Sequence, residues 1–148
     1  MSLLHRSTHK DSPAATGSMR AVAHQREKYV HDVDAGAHHL VVDEPPEQGG
    51  TDEGPSPQEL LAASLASCTA ITMEMYAKRK GWNVDGLEVD VDYLPAERGC
   101  VTRFELVMKM PAHLSEEQVH KLQVIAAKCP VHRTLEGEVA FDERVELA

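Results

Sequence analysis

The chain has 148 residues, 42% of them apolar and 4% aromatic, with a formal net charge of -9. That length suits one domain with a core of Leu, Val, Ile, Ala and Met, and the acidic balance argues against nucleic-acid binding, which needs Lys and Arg against phosphates. No stretch reads as the roughly 20 consecutive apolar residues that cross a bilayer, and the start, with His5, Arg6, His9, Lys10 and Asp11, has no apolar leader core.

Residues 1–18 are polar, small and irregular and read as a flexible N-terminal tail, leaving 19–148 as the folded domain. From Met19 the pattern turns to weak alternation. Arg20–Gln25 and Tyr29–Val33 read as half-buried strands, Asp34-Ala35-Gly36 as a turn, and His38–Val42 as a third strand, together a small antiparallel meander. The segment Asp43–Pro55 is rich in Pro, Gly and acid and reads as a loop. It is a packing or functional loop rather than a domain boundary, because about 40 preceding residues cannot hold a core alone.

A helix with clear punctuation follows. Ser56 caps it, Pro57 takes the first helical position, and Glu59 stands where a capping box needs it. From Leu60 to Ala77 the only charge is Glu74, a composition that belongs in the middle of a structure. Lys78-Arg79-Lys80-Gly81 mark its end. Leu87–Tyr93 and Arg103–Met110 alternate strictly and predict a hairpin across the Pro95–Gly99 loop. Ser115-Glu116-Glu117-Gln118 is a second capping box, opening a helix that Pro130 ends, and Glu138–Leu147 reads as a final strand. The order predicts an α+β fold, with antiparallel sheets around a long buried central helix. Covering that helix on every side calls for a second copy of the chain, hence a homodimer.

Three cysteines, Cys68, Cys100 and Cys129, form no disulfide framework, and the odd count fits a reducing compartment, so a cytoplasmic location is expected. Cys68 lies in mid-helix among apolar residues, too far from the helix start for the dipole to lower its pKa. It is either a small core residue or a reactive thiol that borrows a cation, preferably an arginine, from elsewhere; Arg26 and Arg20 are the candidates. Cys129 falls at the expected end of a helix, where the dipole disfavours a thiolate, so its better role is as a second thiol. Cys100 reads as structural. The spacing Cys129-x-x-His132, completed by Cys68 and His38 or His39, is the rival reading as a zinc site, but a second close-spaced pair is lacking and no metal is expected.

Asp43-Glu44-Pro45, Gly49–Pro57, Glu59-Leu60-Leu61, Ser67-Cys68-Thr69-Ala70 and Cys129-Pro130-Val131-His132-Arg133-Thr134-Leu135 resemble the OsmC/Ohr family of osmotically inducible and organic hydroperoxide resistance proteins, over about residues 19–148. The resemblance implies an intertwined homodimer, no cofactor, and thiol peroxidase activity toward organic hydroperoxides. In it Cys68 is the attacking thiol, Cys129 the resolving thiol, and Arg26, with Arg20 in reserve, holds the thiolate. A dithiol, lipoyl in type, restores both thiols. Organic hydroperoxide resistance members carry a glutamate ten positions before the attacking cysteine; here that position is Gln58, and the adjacent Glu59 has its capping role. This departure places the chain nearer the OsmC-like branch and leaves a non-catalytic redox sensor or small-ligand-binding dimer as the alternative.

Overall fold

The structure is a computed structural model that describes residues 17–147, so all but the last two residues of the expected tail lie outside the described residues. The chain divides into two units, Met1–Pro55 and Ser56–Ala148.

In the first unit β1 (Ala21–Glu27), β2 (Val30–Ala35) and β3 (His38–Val42) form the expected antiparallel meander, in the order β1-β2-β3. The register puts Ala23, Val33 and Leu40 on one face and His24, Asp32, Asp34 and His39 on the other. Gln25 pairs with His31 but Glu27 pairs with Val30, so Arg26 is the extra residue of a β-bulge. Gly36 makes the β2–β3 turn at a φ of 61°, a left-handed conformation that costs glycine nothing.

The loop after β3 is organised by one carboxylate. Asp43, 1% exposed, accepts from the N–H groups of Glu44, Thr51 and Glu53 at 2.7, 3.1 and 3.1 Å and from the Thr51 hydroxyl at 2.9 Å. Burial alone would raise its pKa; the Glu53 and Glu44 N–H donors and the two Thr51 donors prevail and bring it to about 2. The loop closes so tightly that a Cβ on Gly50 would lie 1.8 Å from the Glu44 carbonyl oxygen, and one on Gly54 2.1 Å from that of Val41.

The second unit opens with α1 (Pro57–Lys80). Its capping box is present in full: Ser56 Oγ accepts from the Glu59 N–H at 3.2 Å, and Glu59 accepts from the Ser56 N–H at 2.7 Å. Gly81 ends it at a φ of 71°, after Lys78, Arg79 and Lys80. By length and composition α1 does pass for a membrane span, contrary to the reading of the sequence. Its contacts are those of a core helix: Leu65, Thr69, Met73 and Ala77, four residues apart, form a fully buried stripe. On the other side Ile71 and Met75 are exposed, 48% and 63%, so in the single chain only one stripe of the helix is covered.

Against that stripe pack α2 (Glu116–Ala126) and a hairpin of β4 (Glu88–Leu94) and β5 (Arg103–Lys109). Met73 and Ala77 meet Leu122 and Ala126, and Val89 and Met108 from the hairpin pack on the same cluster. Burying Leu65, Met73 and Leu122 fully is worth about 1.5–3 kcal/mol each. The outward positions carry charge as expected, with Lys109 Nζ 2.6 Å from Glu88 and 2.7 Å from Asp90. A second complete capping box starts α2 at Ser115.

Two expectations fail here. The helix that Pro130 was to end stops at Ala126, and Pro130 instead begins a third helix, α3 (Pro130–Glu136), for which Cys129 is the N-cap. Proline suits the first helical position because its missing N–H would have no partner there. The final strand over Glu138–Leu147 does not form among the described residues. A strand is a pairing and not a propensity, and among the described residues this segment pairs with no strand; Val139, Phe141, Val145 and Leu147 alternate but stand 55–96% exposed.

Gly50→Ala should destabilise the protein by about 1–3 kcal/mol, since backbone and not a pliable side chain blocks the new methyl; thermal unfolding measures it. Asp43 titrates lower in the folded chain than the ordinary value of about 3.9, so its contribution is present above that value and lost as pH falls toward about 2. Unfolding free energy should therefore decline over that window, and the decline should be shallower in Asp43→Asn.

Candidate functional site

Cys68 and Cys129 are brought together. Cys68 occupies the middle of α1, half-buried, and α3 packs on that helix with Cys129 fully buried at its start. Cys129, the Val131 backbone N–H and the Thr72 hydroxyl all lie close enough to the Cys68 thiol to shift it. Burial pushes that thiol up, the neighbouring Cys129 adds to the rise, and the Val131 and Thr72 donors oppose it without prevailing. None of the groups that shift it is a cation. The rise is what its place in an apolar helix implied, and it leaves the thiol in want of a positive partner.

The corrected place of Cys129 reverses the electrostatic argument made for it. It stands at the positive end of a helix and not at the negative one, and its Sγ accepts from the His132 N–H at 3.5 Å. A cysteine directly before proline, with a helical spacing of Val131, Thr134 and Leu135 after it, was the signal that would have identified an N-cap. Cys100 is exposed in the β4–β5 connection.

Beside the sulfurs a cavity of about 390 Å³ opens between α1, the hairpin and α3. Leu61, Leu65, Phe104, Leu106 and Leu135 give it apolar walls, and Tyr93 stacks on Phe104 with ring centroids 4.9 Å apart. His132 and Glu136 supply its charge-bearing groups; His132 Nε2 lies 3.1 Å from Glu136 Oε1. Neither sulfur lines the cavity, but Leu65 is one turn from Cys68, and the His132 N–H donates to the Cys129 sulfur.

The zinc reading finds no support in this geometry. The His132 ring is turned along its own helix to Glu136, and among the described residues no group of three or more His, Cys, Asp or Glu could hold a metal ion. Gln58 opens onto a second cavity, of about 350 Å³, together with Glu59, Asp92 and Tyr93. Glu59 is engaged in the capping box.

Arg26 belongs to the first unit. Its Nε donates to Asp32 Oδ2 at 3.1 Å, its Nη2 donates to Asp32 Oδ1, and its Nη1 lies 3.9 Å from Glu53. The hydrogen bond and charge of Asp32 raise the guanidinium pKa, and Arg26 in turn lowers that of Asp32. The bulge aims this side chain, and the Asp43-centred loop supplies Glu53. Arg20 lines a cavity at the start of the sheet with Met19, Ala21 and Gly36.

The chain belongs to the OsmC family, described as OsmC-like protein, which matches residues 50–144. Solved structures share its fold. An OsmC-like protein from Mycoplasma pneumoniae is 20% identical, with a TM-score of 0.69 over 81% of this chain and 88% of that one. The organic hydroperoxide resistance protein OhrB of Bacillus subtilis is 23% identical, with a TM-score of 0.56 over 81% and 91%. An OsmC-like protein of unknown function from Vibrio cholerae is 14% identical, with a TM-score of 0.66 over 83% and 96%. No curated protein matches the chain.

Because Cys129 contributes to the raised pKa of Cys68, Cys129→Ala should move the Cys68 thiolate titration to lower pH. The absorbance of the thiolate near 240 nm, with Cys100 replaced by Ser in both proteins, measures the shift; an unmoved or raised midpoint would separate the two thiols.

Proposed function

We propose that the protein is a thiol-dependent peroxidase that reduces organic hydroperoxides. The observation that carries this reading is the meeting of Cys68 and Cys129 beside an apolar cavity. The Cys68 thiolate attacks the O–O bond, the sulfur gains the terminal oxygen as a sulfenic acid, and the alkoxide leaves and takes up a proton to become the alcohol. The Cys129 thiol then attacks that sulfur; an S–S bond forms, the S–O bond breaks, and hydroxide leaves as water with the thiol proton. An external dithiol, lipoyl in type, reduces the disulfide by two thiol exchanges and is itself oxidised.

Arg26 is the cation assigned to the Cys68 thiolate, by resemblance to the family. Homodimerisation belongs to the same proposal. The exposed stripe with Ile71 and Met75 on α1 and the unpaired alternation of Val139, Phe141, Val145 and Leu147 are what a second copy would cover. A cytoplasmic location follows from three free thiols in a chain whose activity needs two of them reduced.

A second reading is favoured by the raised Cys68 pKa and by Gln58 in place of a carboxylate: a dimer that senses oxidants or binds an electrophile through the same thiols without turnover. Peroxide consumption with a dithiol separates the two. Turnover of cumene hydroperoxide should be abolished by Cys68→Ser. In Cys129→Ser the first oxidation should persist and cycling should fail. Intact mass after one equivalent of peroxide should fall by about two mass units in the wild type, the loss of two hydrogens on disulfide formation. A disulfide that forms without sustained turnover selects the sensor, and an unchanged mass defeats both readings.

A further inference from the structure

The cycle above leaves one proton without a named source. When the Cys68 thiolate breaks the O–O bond, the departing alkoxide is a far stronger base than water at neutral pH tolerates, and a positioned acid at that oxygen accelerates the step. The apolar cavity beside the sulfurs is where the organic body of a hydroperoxide would lie. Its walls carry few groups able to give a proton. Tyr93, from β4, is stacked face-on with Phe104, and Glu136 has its carboxylate oxygen 3.1 Å from His132 Nε2. Thr102, whose aliphatic hydroxyl is too weak an acid to serve, and His132 remain.

Three features set this histidine apart from a surface residue of a short helix. Its backbone N–H donates to the Cys129 sulfur at 3.5 Å, and the preceding N–H, of Val131, lowers the Cys68 pKa, so the first turn of α3 lies close to both sulfurs. Its side chain is 28% exposed whereas its partner Glu136 is 66% exposed, so the imidazole sits inward and the carboxylate at the mouth. An imidazole held by a carboxylate at 3.1 Å has its ring orientation fixed, as a positioned proton donor requires.

We infer that His132 is the general acid of this site: held by Glu136 at the cavity wall, its imidazolium protonates the alkoxide oxygen released when Cys68 is oxidised. The inference rests on the peroxidase reading and extends it by one residue. The balance closes. The Cys68 thiolate, the hydroperoxide and the imidazolium give a sulfenic acid, an alcohol and a neutral imidazole, and solvent returns the proton before the next turnover. The titratable groups that line the cavity with His132 are Glu136 from its own helix and Tyr93 from β4.

The test exploits leaving groups. tert-Butyl hydroperoxide releases an alkoxide that needs a proton; peroxyacetic acid releases acetate, which does not. In His132→Gln the second-order rate constant for the first should fall about 100-fold, and that for the second by less than about threefold. The limb of the pH profile that the imidazolium gives with the alkyl hydroperoxide should vanish. Iodoacetamide alkylation of Cys68 in the same variant should keep its wild-type pH dependence, because it requires the thiolate and no acid. Equal losses with both oxidants would make His132 merely structural, and undiminished rates with both would remove it from the chemistry; either overturns the inference while Cys68-dependent turnover keeps the peroxidase reading intact. A wild-type protein without turnover overturns both. Should His132→Gln fold poorly, His132→Asn serves, judged by the same ratio of the two rates, which loss of folded protein leaves unchanged.

Discussion

The candidate site depends on the packing of one short helix against one long one. α3 lies on α1 and carries Cys129 at its first cap position, and that contact brings a thiol from late in the chain to a thiol in the middle of α1. Everything that makes the contact rigid lies outside the sulfurs. Met73 and Ala77 of the α1 stripe pack with Leu122 and Ala126 of α2, and the Val89–Met108 face of the hairpin backs the same cluster. Leu61 and Leu65, nearer the start of α1, line the cavity with Leu135 of α3.

That location sets an electrostatic problem. A thiol in mid-helix gains nothing from the helix dipole, and burial pushes its pKa up. The local donors, Val131 N–H and Thr72, fall short of reversing the shift. On the proposed function a positive group must offset that rise, and Arg26, assigned to it by family resemblance, has the character such a group needs. It stays charged in any surroundings, it is aimed by a bulge, and its fork is already engaged by Asp32. That engagement has two sides, since a guanidinium paired with Asp32 and near Glu53 is well oriented but partly neutralised. On the proposed function, the same carboxylates that hold Arg26 also limit how far it lowers the Cys68 pKa, which is the trade expected of a thiol that must be reactive only toward a bound oxidant.

The parts of this arrangement that were legible in the sequence are those written in local chemistry. Both capping boxes, the glycine stop of α1, the meander and the charged outer face of the hairpin follow from residues within a few positions of one another. Their structures match the patterns at Ser56, Ser115, Gly81 and Lys109. The misread parts needed a partner in space. Pro130 was taken as a stop because proline ends helices, although it starts them equally well; only the break after Ala126 decides between the two, and no residue there announces it. The 138–147 segment has the alternation of a strand but pairs with no strand among the described residues. The thiol pair was suggested by the local surroundings of Cys68 and Cys129 and assigned its roles by family motifs, because no local rule tells which two cysteines of three will meet. The cavity and the orientation of His132 toward Glu136 were invisible, since His132 was weighed only in the rival zinc reading, by its distance from Cys129.

The burial of the two sulfurs is unequal, and on the proposed cycle that inequality divides their work. Cys68 is half-buried and Cys129 is sealed beneath α3. A peroxide arriving from solvent meets Cys68 first, so oxidation begins there. Once the disulfide has formed, an incoming thiolate again finds only the Cys68 sulfur accessible, and attack on it expels Cys129. A leaving thiolate departs faster the better its charge is accommodated, and Cys129 leaves into the N–H of His132 at the positive end of α3. Had α2 continued to Pro130, as its sequence promised, Cys129 would have faced carbonyl oxygens at a helix end and would have been the worse leaving group. On the proposed cycle, the break that splits α2 from α3 thus favours release of Cys129 as a leaving thiolate, so that the same pair can close and reopen.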